Sequence, residues 1–120
     1  MKIGTDIVVI DRIKKSLDKF GDKFLKRVFN IEEIKTLSLN RAESVAGYWA
    51  SKEAISKALG CGIGRDLSFL DITIYKDSKN APHFKLSKEA NRRFNIKNSS
   101  LSIAHDGGFA IAIVAIELRE

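Results

Sequence analysis

Between Trp49 and Gly64 the chain reads Trp-Ala-Ser-Lys-Glu-Ala-Ile-Ser-Lys-Ala-Leu-Gly-Cys-Gly-Ile-Gly, and no other run constrains the fold as much. Its first part continues a helix that starts near Arg41 and reaches Leu59. Gly60, Gly62 and Gly64 then stop it, because glycine takes a left-handed cap with no Cβ penalty. At about 100° per residue, Ala46, Ala50, Glu53 and Lys57 fall within roughly 60° of one another. The two alanines let another backbone come close, so Glu53 faces a packed neighbour. A carboxylate aimed there needs a cation or a donor, since an unpaired buried charge is costly. The same spacing also fits an ordinary i, i+4 Glu–Lys pair on a solvated face, worth about 0.2–0.5 kcal/mol. Trp49 reads as core.

The remaining organisation is that of one domain, residues 1–120. Residues 3–10 read as a strand in which Ile3, Thr5, Ile7 and Val9 share one face, and Gly4, Asp6 and Val8 the other. Helical spacing follows over 11–19 and 22–29. Asn30 with Glu33 forms a capping box for a short helix over 31–39. The second half holds a strand over 70–75, a turn at 77–82 and a return strand over 83–86. Ser87 caps a helix over 88–94. Strands over 100–105 and 109–117 are joined by Asp106-Gly107-Gly108, which supplies the positive φ of a tight hairpin. The class is α+β, a long helix packed on a mostly antiparallel sheet.

Hydrophobic residues make up 44% of the chain, enough for a core. No apolar run approaches the ~20 residues of a membrane span, and Asp6 interrupts the start where a signal peptide needs its apolar stretch. The single cysteine, Cys61, forms no internal disulfide and suits a reducing cytoplasm. Formal net charge is +6, from 21 Lys and Arg against 15 Asp and Glu. That excess steers anionic partners without saying which.

Aspartate is depleted in strands, yet Asp6 sits among Ile, Val and Thr. It is either a strand-end residue tied to solvent or an amide, or it joins Glu53 as a pair of hard oxygen ligands. Magnesium commonly takes one or two protein carboxylates and completes its shell with water and phosphate. The Gly60–Gly64 run allows a phosphate to approach backbone amides, but it follows a helix and lacks Walker spacing, so it also reads simply as a helix stop. His105 ends a strand beside a glycine turn, a structural position unless Lys57 lies close. Arg12, Lys14, Lys15, Lys19, Lys23, Lys26 and Arg27 cluster in the first quarter as a solvated face or a docking site for an acidic surface.

Taken together, Gly4-Thr5-Asp6-Ile7, Trp49 through Ala58, Gly60 through Gly64 and Ser102-Ile103-Ala104-His105-Asp106 resemble the holo-(acyl-carrier-protein) synthases, small bacterial phosphopantetheinyl transferases. Asp66-Leu67-Ser68-Phe69 and Pro82 also fall where that family has similar residues. The resemblance implies a magnesium-dependent enzyme of fatty acid biosynthesis. It would move 4′-phosphopantetheine from coenzyme A to a serine of apo-acyl carrier protein, leaving adenosine 3′,5′-bisphosphate. By the same resemblance Asp6 and Glu53 are metal ligands, and Glu53 and Lys57 are catalytic. Lys57, Gly60, Gly62, Gly64, Pro82 and His105 meet coenzyme A. Arg12 docks the carrier protein, with Lys23 and Arg27 in the same basic patch, and the assembly is a cytoplasmic homotrimer with sites between subunits. Glu53, directly or through water held at the metal, would take the serine proton.

Three residues depart from the family pattern. Ala104 and Asp106 flank His105 where Ser and Thr are usual, and Tyr48 stands where arginine is common. Asp106 brings negative charge near a phosphate site. A basic nucleic-acid-binding module is the competing reading of the charge. It leaves Asp6 and Glu53 unexplained, and aromatic residues are only 8% of the chain with no RNA-binding signature. A transferase relative that only binds carrier proteins is a third reading, which the intact Asp6, Glu53 and Lys57 disfavour.

Overall fold

A computed structural model describes residues 1–37 and 41–120. Strand β1 (Lys2–Val9) leads into helices α1 (Ile10–Phe20), α2 (Asp22–Val28) and α3 (Ile31–Thr36), then the long α4 (Ala42–Ala58). A 3-10 turn at Phe69–Asp71 precedes β2 (Ile72–Lys76) and β3 (Pro82–Leu86). Helix α5 (Lys88–Phe94) and strands β4 (Ile96–Asp106) and β5 (Phe109–Leu118) complete the fold. β1, β5 and β4 form one antiparallel sheet in that order, and β2 and β3 form a separate hairpin. Among the described residues no helix is long and apolar enough to cross a membrane.

The expected α+β arrangement is present. Strand β1 alternates as its sequence implies, with Gly4, Asp6 and Val8 turned toward α4. Val45, Ala46, Ala50, Ala54 and Ile55 of α4 are fully buried. They meet Ala110, Ala112, Val114 and Ile116 of β5 in one core. Gly4 is where strand and helix come closest. A Cβ there would overlap the Ala54 carbonyl oxygen and lie 2.8 Å from Ala58 N. The opposite face of the sheet is apolar and open, with Ile3, Ile7 and Ile113 each more than half exposed.

Several boundaries move for local reasons. Ile10 opens α1 instead of closing β1, and its N–H donates to Gly108 O at 2.9 Å. The strand expected from residue 70 starts at Ile72, because Ser68 and Asp71 cap each other around the 3-10 turn. The strand expected from residue 100 starts at Ile96, directly after Asn95 ends α5 in the left-handed region. Its polar first residues gave no alternation, and a register shift lies between Ile96 and Asn98. The Asn30–Glu33 capping box is present. Helix α3 ends at Thr36, and residues 38 and 39 of the expected helix lie outside the described ones.

Candidate active site

The site begins at the edge where β1 crosses α4. Asp6 is on the inward face of β1, and its side chain is only 15% exposed. Lys57, in the last turn of α4, donates to Asp6 Oδ1 at 2.9 Å and to Thr5 O at 3.2 Å. Lys57 therefore reaches across to the strand rather than closing an i, i+4 pair with Glu53. Glu53, one turn earlier, is half-buried. Burial pushes its carboxyl pKa up, the Asp6 charge pushes it further, and Lys57 opposes both. Glu53 thus feels the charge of Asp6, the second carboxylate of the site.

They open onto a cleft of about 440 Å³ that is also lined by Arg12, Lys15, Ser16, Phe24 and Trp49. Trp49 is partly buried, stacked on Phe24 with centroids 5.9 Å apart and tilted against Phe69 at 4.8 Å. It serves the core and also walls the cleft. Among the described residues no third His, Cys, Asp or Glu joins the carboxylate pair. Two hard oxygen donors of mutually repelling charge suit magnesium, whose remaining positions go to water and phosphate oxygens.

Other site residues from the sequence lie elsewhere. Pro82, His105 and Tyr48 share a second cleft of about 310 Å³ with Arg41, Ser44, Gly47 and Lys76. It has no lining residue in common with the first. Lys23 and Arg27 line a groove of about 400 Å³ with Ser16, Phe20 and Phe24. That groove adjoins the first cleft through Ser16 and Phe24, so Arg12, Lys23 and Arg27 border one continuous surface. The Gly60–Gly64 loop is a helix stop with open space around it. Gly60 N bonds Lys57 O, Cys61 N and Gly62 N both bond Ser56 O, and Gly64 N bonds Leu67 O. Those amides are engaged within the chain, while no atom lies within 4 Å of a Cβ built on Gly60, Gly62 or Gly64.

Sequence reasoning missed the residue next to Glu53. Lys52 is fully buried and donates to Glu33 Oε1 at 2.7 Å, Val28 O at 2.7 Å and Phe69 O at 3.0 Å. Burial lowers its pKa, and Glu33 counters that shift. Glu33 in turn accepts from Ile74 N at 2.9 Å. One ion pair thereby ties α2, α3, α4, the 3-10 turn and β2 together behind the cleft. The signal that could have found it is its helix face, which it shares with Tyr48, Trp49 and Ile55 at i−4, i−3 and i+3. Arg41 and Lys76 were also missed, because nothing in their spacing places them beside His105.

An α+β fold with an acidic pair, a nearby lysine and a basic rim suits chemistry on a phosphorylated substrate. Residues 2–114 match the 4′-phosphopantetheinyl transferase superfamily, and the chain belongs to it. Within it the chain stands among the holo-[acyl-carrier-protein] synthases. It is 56% identical to that of Sulfurovum sp. over 119 residues, covering 99% of this chain and 98% of the relative. The Helicobacter pylori synthase solved in complex with coenzyme A superposes with TM-score 0.91 at 52% identity, covering 96% of this chain and 99% of that one. The Bacillus anthracis synthase, solved with CoA (3′,5′-ADP), gives TM-score 0.82 at 39% identity, with 98% and 96% covered.

Proposed function

We propose that this chain transfers 4′-phosphopantetheine from coenzyme A to a serine of apo-acyl carrier protein, with magnesium held by Asp6 and Glu53. The observation that carries the reading is the convergence of Asp6, Glu53 and Lys57 at the β1–α4 crossing. It stands in a chain whose relatives are named for this activity. A divalent cation bound by the two carboxylates would draw negative charge off the pyrophosphate oxygens as it builds.

The serine Oγ attacks the phosphorus on the pantetheine side of the pyrophosphate. An O–P bond forms, the bridging P–O bond breaks, and adenosine 3′,5′-bisphosphate leaves with that bond's electron pair. Lys57 neutralises charge on the phosphate oxygens. Glu53, directly or through a water, accepts the serine proton. Trp49 and Phe24 wall the cleft against water on one side. Pro82 and His105 meet the nucleotide, and Arg41 and Lys76 offer positive charge in the same cleft where Tyr48 replaces the usual arginine. The glycines of the 60–64 loop let a phosphate come near the end of α4 without steric obstruction. Arg12, Lys23 and Arg27 receive the acidic carrier, and the Phe20–Phe24 groove between them takes its apolar side chains.

Two separate clefts in one chain fit a homotrimer in which the nucleotide cleft of one subunit completes the carboxylate cleft of the next, and the lone Cys61 fits a reducing cytoplasm. The open apolar sheet face supports that assembly.

The test is the intact mass of an apo-acyl carrier protein after incubation with this protein, coenzyme A and magnesium, beside an EDTA control. A gain of one phosphopantetheine group that EDTA abolishes is the expected result. No gain, while a competent enzyme modifies the same carrier, would sink the reading. A gain that survives EDTA would remove the metal from it.

A further inference from the structure

Asp6 faces two competing demands. It belongs to the carboxylate pair suited to a divalent cation, yet among the described residues Lys57 forms an ion pair with it. The two partners differ in mobility. Asp6 is fixed on a strand with its side chain 15% exposed, whereas the Lys57 side chain is 53% exposed. Lys57 also carries its ammonium on a flexible four-carbon stem. Its second bond, to Thr5 O, goes to a neutral backbone oxygen and is longer, at 3.2 Å. Glu53 lies one turn away on the same helix, but the ammonium does not pair with it.

We propose that Lys57 shields Asp6 from divalent cations until a phosphate of the substrate draws its ammonium away, so that cation and coenzyme A enter the site with positive coupling. The inference rests on the proposed roles of Asp6 and Glu53 as cation ligands. While Lys57 holds Asp6, one carboxylate of the pair is neutralised and an approaching cation meets a positive charge beside its ligand. The coenzyme A pyrophosphate as a whole offers the ammonium more charge and more acceptor oxygens than Asp6 and Thr5 together. Once Lys57 moves, Asp6 and Glu53 face each other unscreened and the pair attracts a cation more strongly. Asp6 and Glu53 line the same cleft, which places both beside one cation position. Linkage makes the effect reciprocal, so a cation that displaces Lys57 from Asp6 frees it for phosphate.

Direct contact between cation and phosphate also couples the two ligands, so the test isolates the part that passes through Lys57. Manganese is titrated into the folded protein by electron paramagnetic resonance, with and without coenzyme A. The proteins are wild type, Lys57→Met, Lys57→Gln, Lys15→Gln, Asp6→Asn and Glu53→Gln, each checked by circular dichroism. Without coenzyme A, both Lys57 variants should bind manganese about fivefold or more tightly than wild type, and coenzyme A should then raise their affinity less. Lys15→Gln is the field control, because Lys15 lines the same cleft but pairs with Asp11. It should change affinity by less than about twofold, a shift expected from weak surface charge. Unchanged or weaker manganese binding in both Lys57 variants would overturn the inference, as would equal tightening in Lys15→Gln. If Asp6→Asn and Glu53→Gln bind manganese as well as wild type does, the cation reading falls and this inference falls with it. If those two weaken binding and the Lys57 variants fail to tighten it, the inference alone falls.

Discussion

At the scale of single residues, the adjacent pair Lys52 and Glu53 point to opposite ends of the same problem. Lys52 turns inward and makes three bonds in the dry interior. Glu53 stands at the cleft. Truncating Lys52 to Met leaves Glu33 buried with an uncompensated charge, and should cost about 3–5 kcal/mol in urea unfolding. Lys52→Met combined with Glu33→Gln should recover much of that loss, because neither charge is then stranded. Glu53→Gln keeps the volume and removes the proposed base. Its turnover should fall roughly 10²–10⁴-fold in the carrier mass assay while the melting temperature stays near that of wild type. Normal turnover with magnesium would remove Glu53 from both proposed roles. Asp6 and Glu53 were legible because each breaks a local preference, an aspartate in an Ile/Val strand and an acid on a stripe of alanines. Lys52 was not, since a lysine in a helix ordinarily reads as solvated. Only the packing of α2 and the 3-10 turn makes its position an interior one.

At the scale of elements, the approach of β1 to α4 depends on Gly4 having no side chain. Gly4→Ala forces the strand away from Ala54 and Ala58, and should lower stability by about 1–3 kcal/mol in thermal or urea melts. It should also lower activity in the protein that remains folded, because Asp6 moves with the strand. Asp71 holds the 3-10 turn to α5. Burial works against its carboxylate, but hydrogen bonds from Ser87 Oγ, Ser68 N and Ser68 Oγ outweigh that and hold its pKa below the ordinary 3.8. A depressed folded pKa means the stabilisation is complete above the unfolded value and is lost as pH falls through the folded one. Acid unfolding of Asp71→Asn should therefore lose less stability below about pH 4 than wild type does, starting from a lower plateau. Most elements were readable from the sequence through glycine stops, caps and alternation, including α4, the Asn30–Glu33 box and the Gly107-Gly108 hairpin. The start of β4 was hidden because Lys97, Asn98 and Ser99 carry no apolar rhythm. What places them in a strand is the length of β5 beside them.

At the scale of the whole molecule, the sheet covers α4 on one face and leaves Ile3, Ile7, Ile111 and Ile113 uncovered on the other. The proposed trimer would bury that face. Ile113→Asp should shift the sedimentation profile to monomer, and carrier modification should fall with it because the two clefts no longer meet. A trimer that survives the substitution would move the interface elsewhere. Salt provides a second measurement at this scale. The KM for the carrier should rise as ionic strength screens Arg12, Lys23 and Arg27, while a salt-independent KM would count against that patch. The alternation of β1 disclosed two faces, but sequence alone did not say which one the chain's own helix would cover. That was decided by Gly4, the residue that admits α4. The separation of His105 from Asp6 into different clefts was equally invisible, because it depends on where β4 and β1 lie relative to the helix between them.

The pairing of β1 with β5 also bears on how the protein is made. Residues 2–9 pair with residues 109–116, so the strand that carries Asp6 finds its neighbour only after residue 116 has left the ribosome. Contacts of such long sequence separation form late and slowly. Until then an apolar segment waits without a partner, and a nascent chain that stalls before residue 109 holds an incomplete edge at the proposed site. A product truncated before residue 109 leaves the strand that carries Asp6 without its partner.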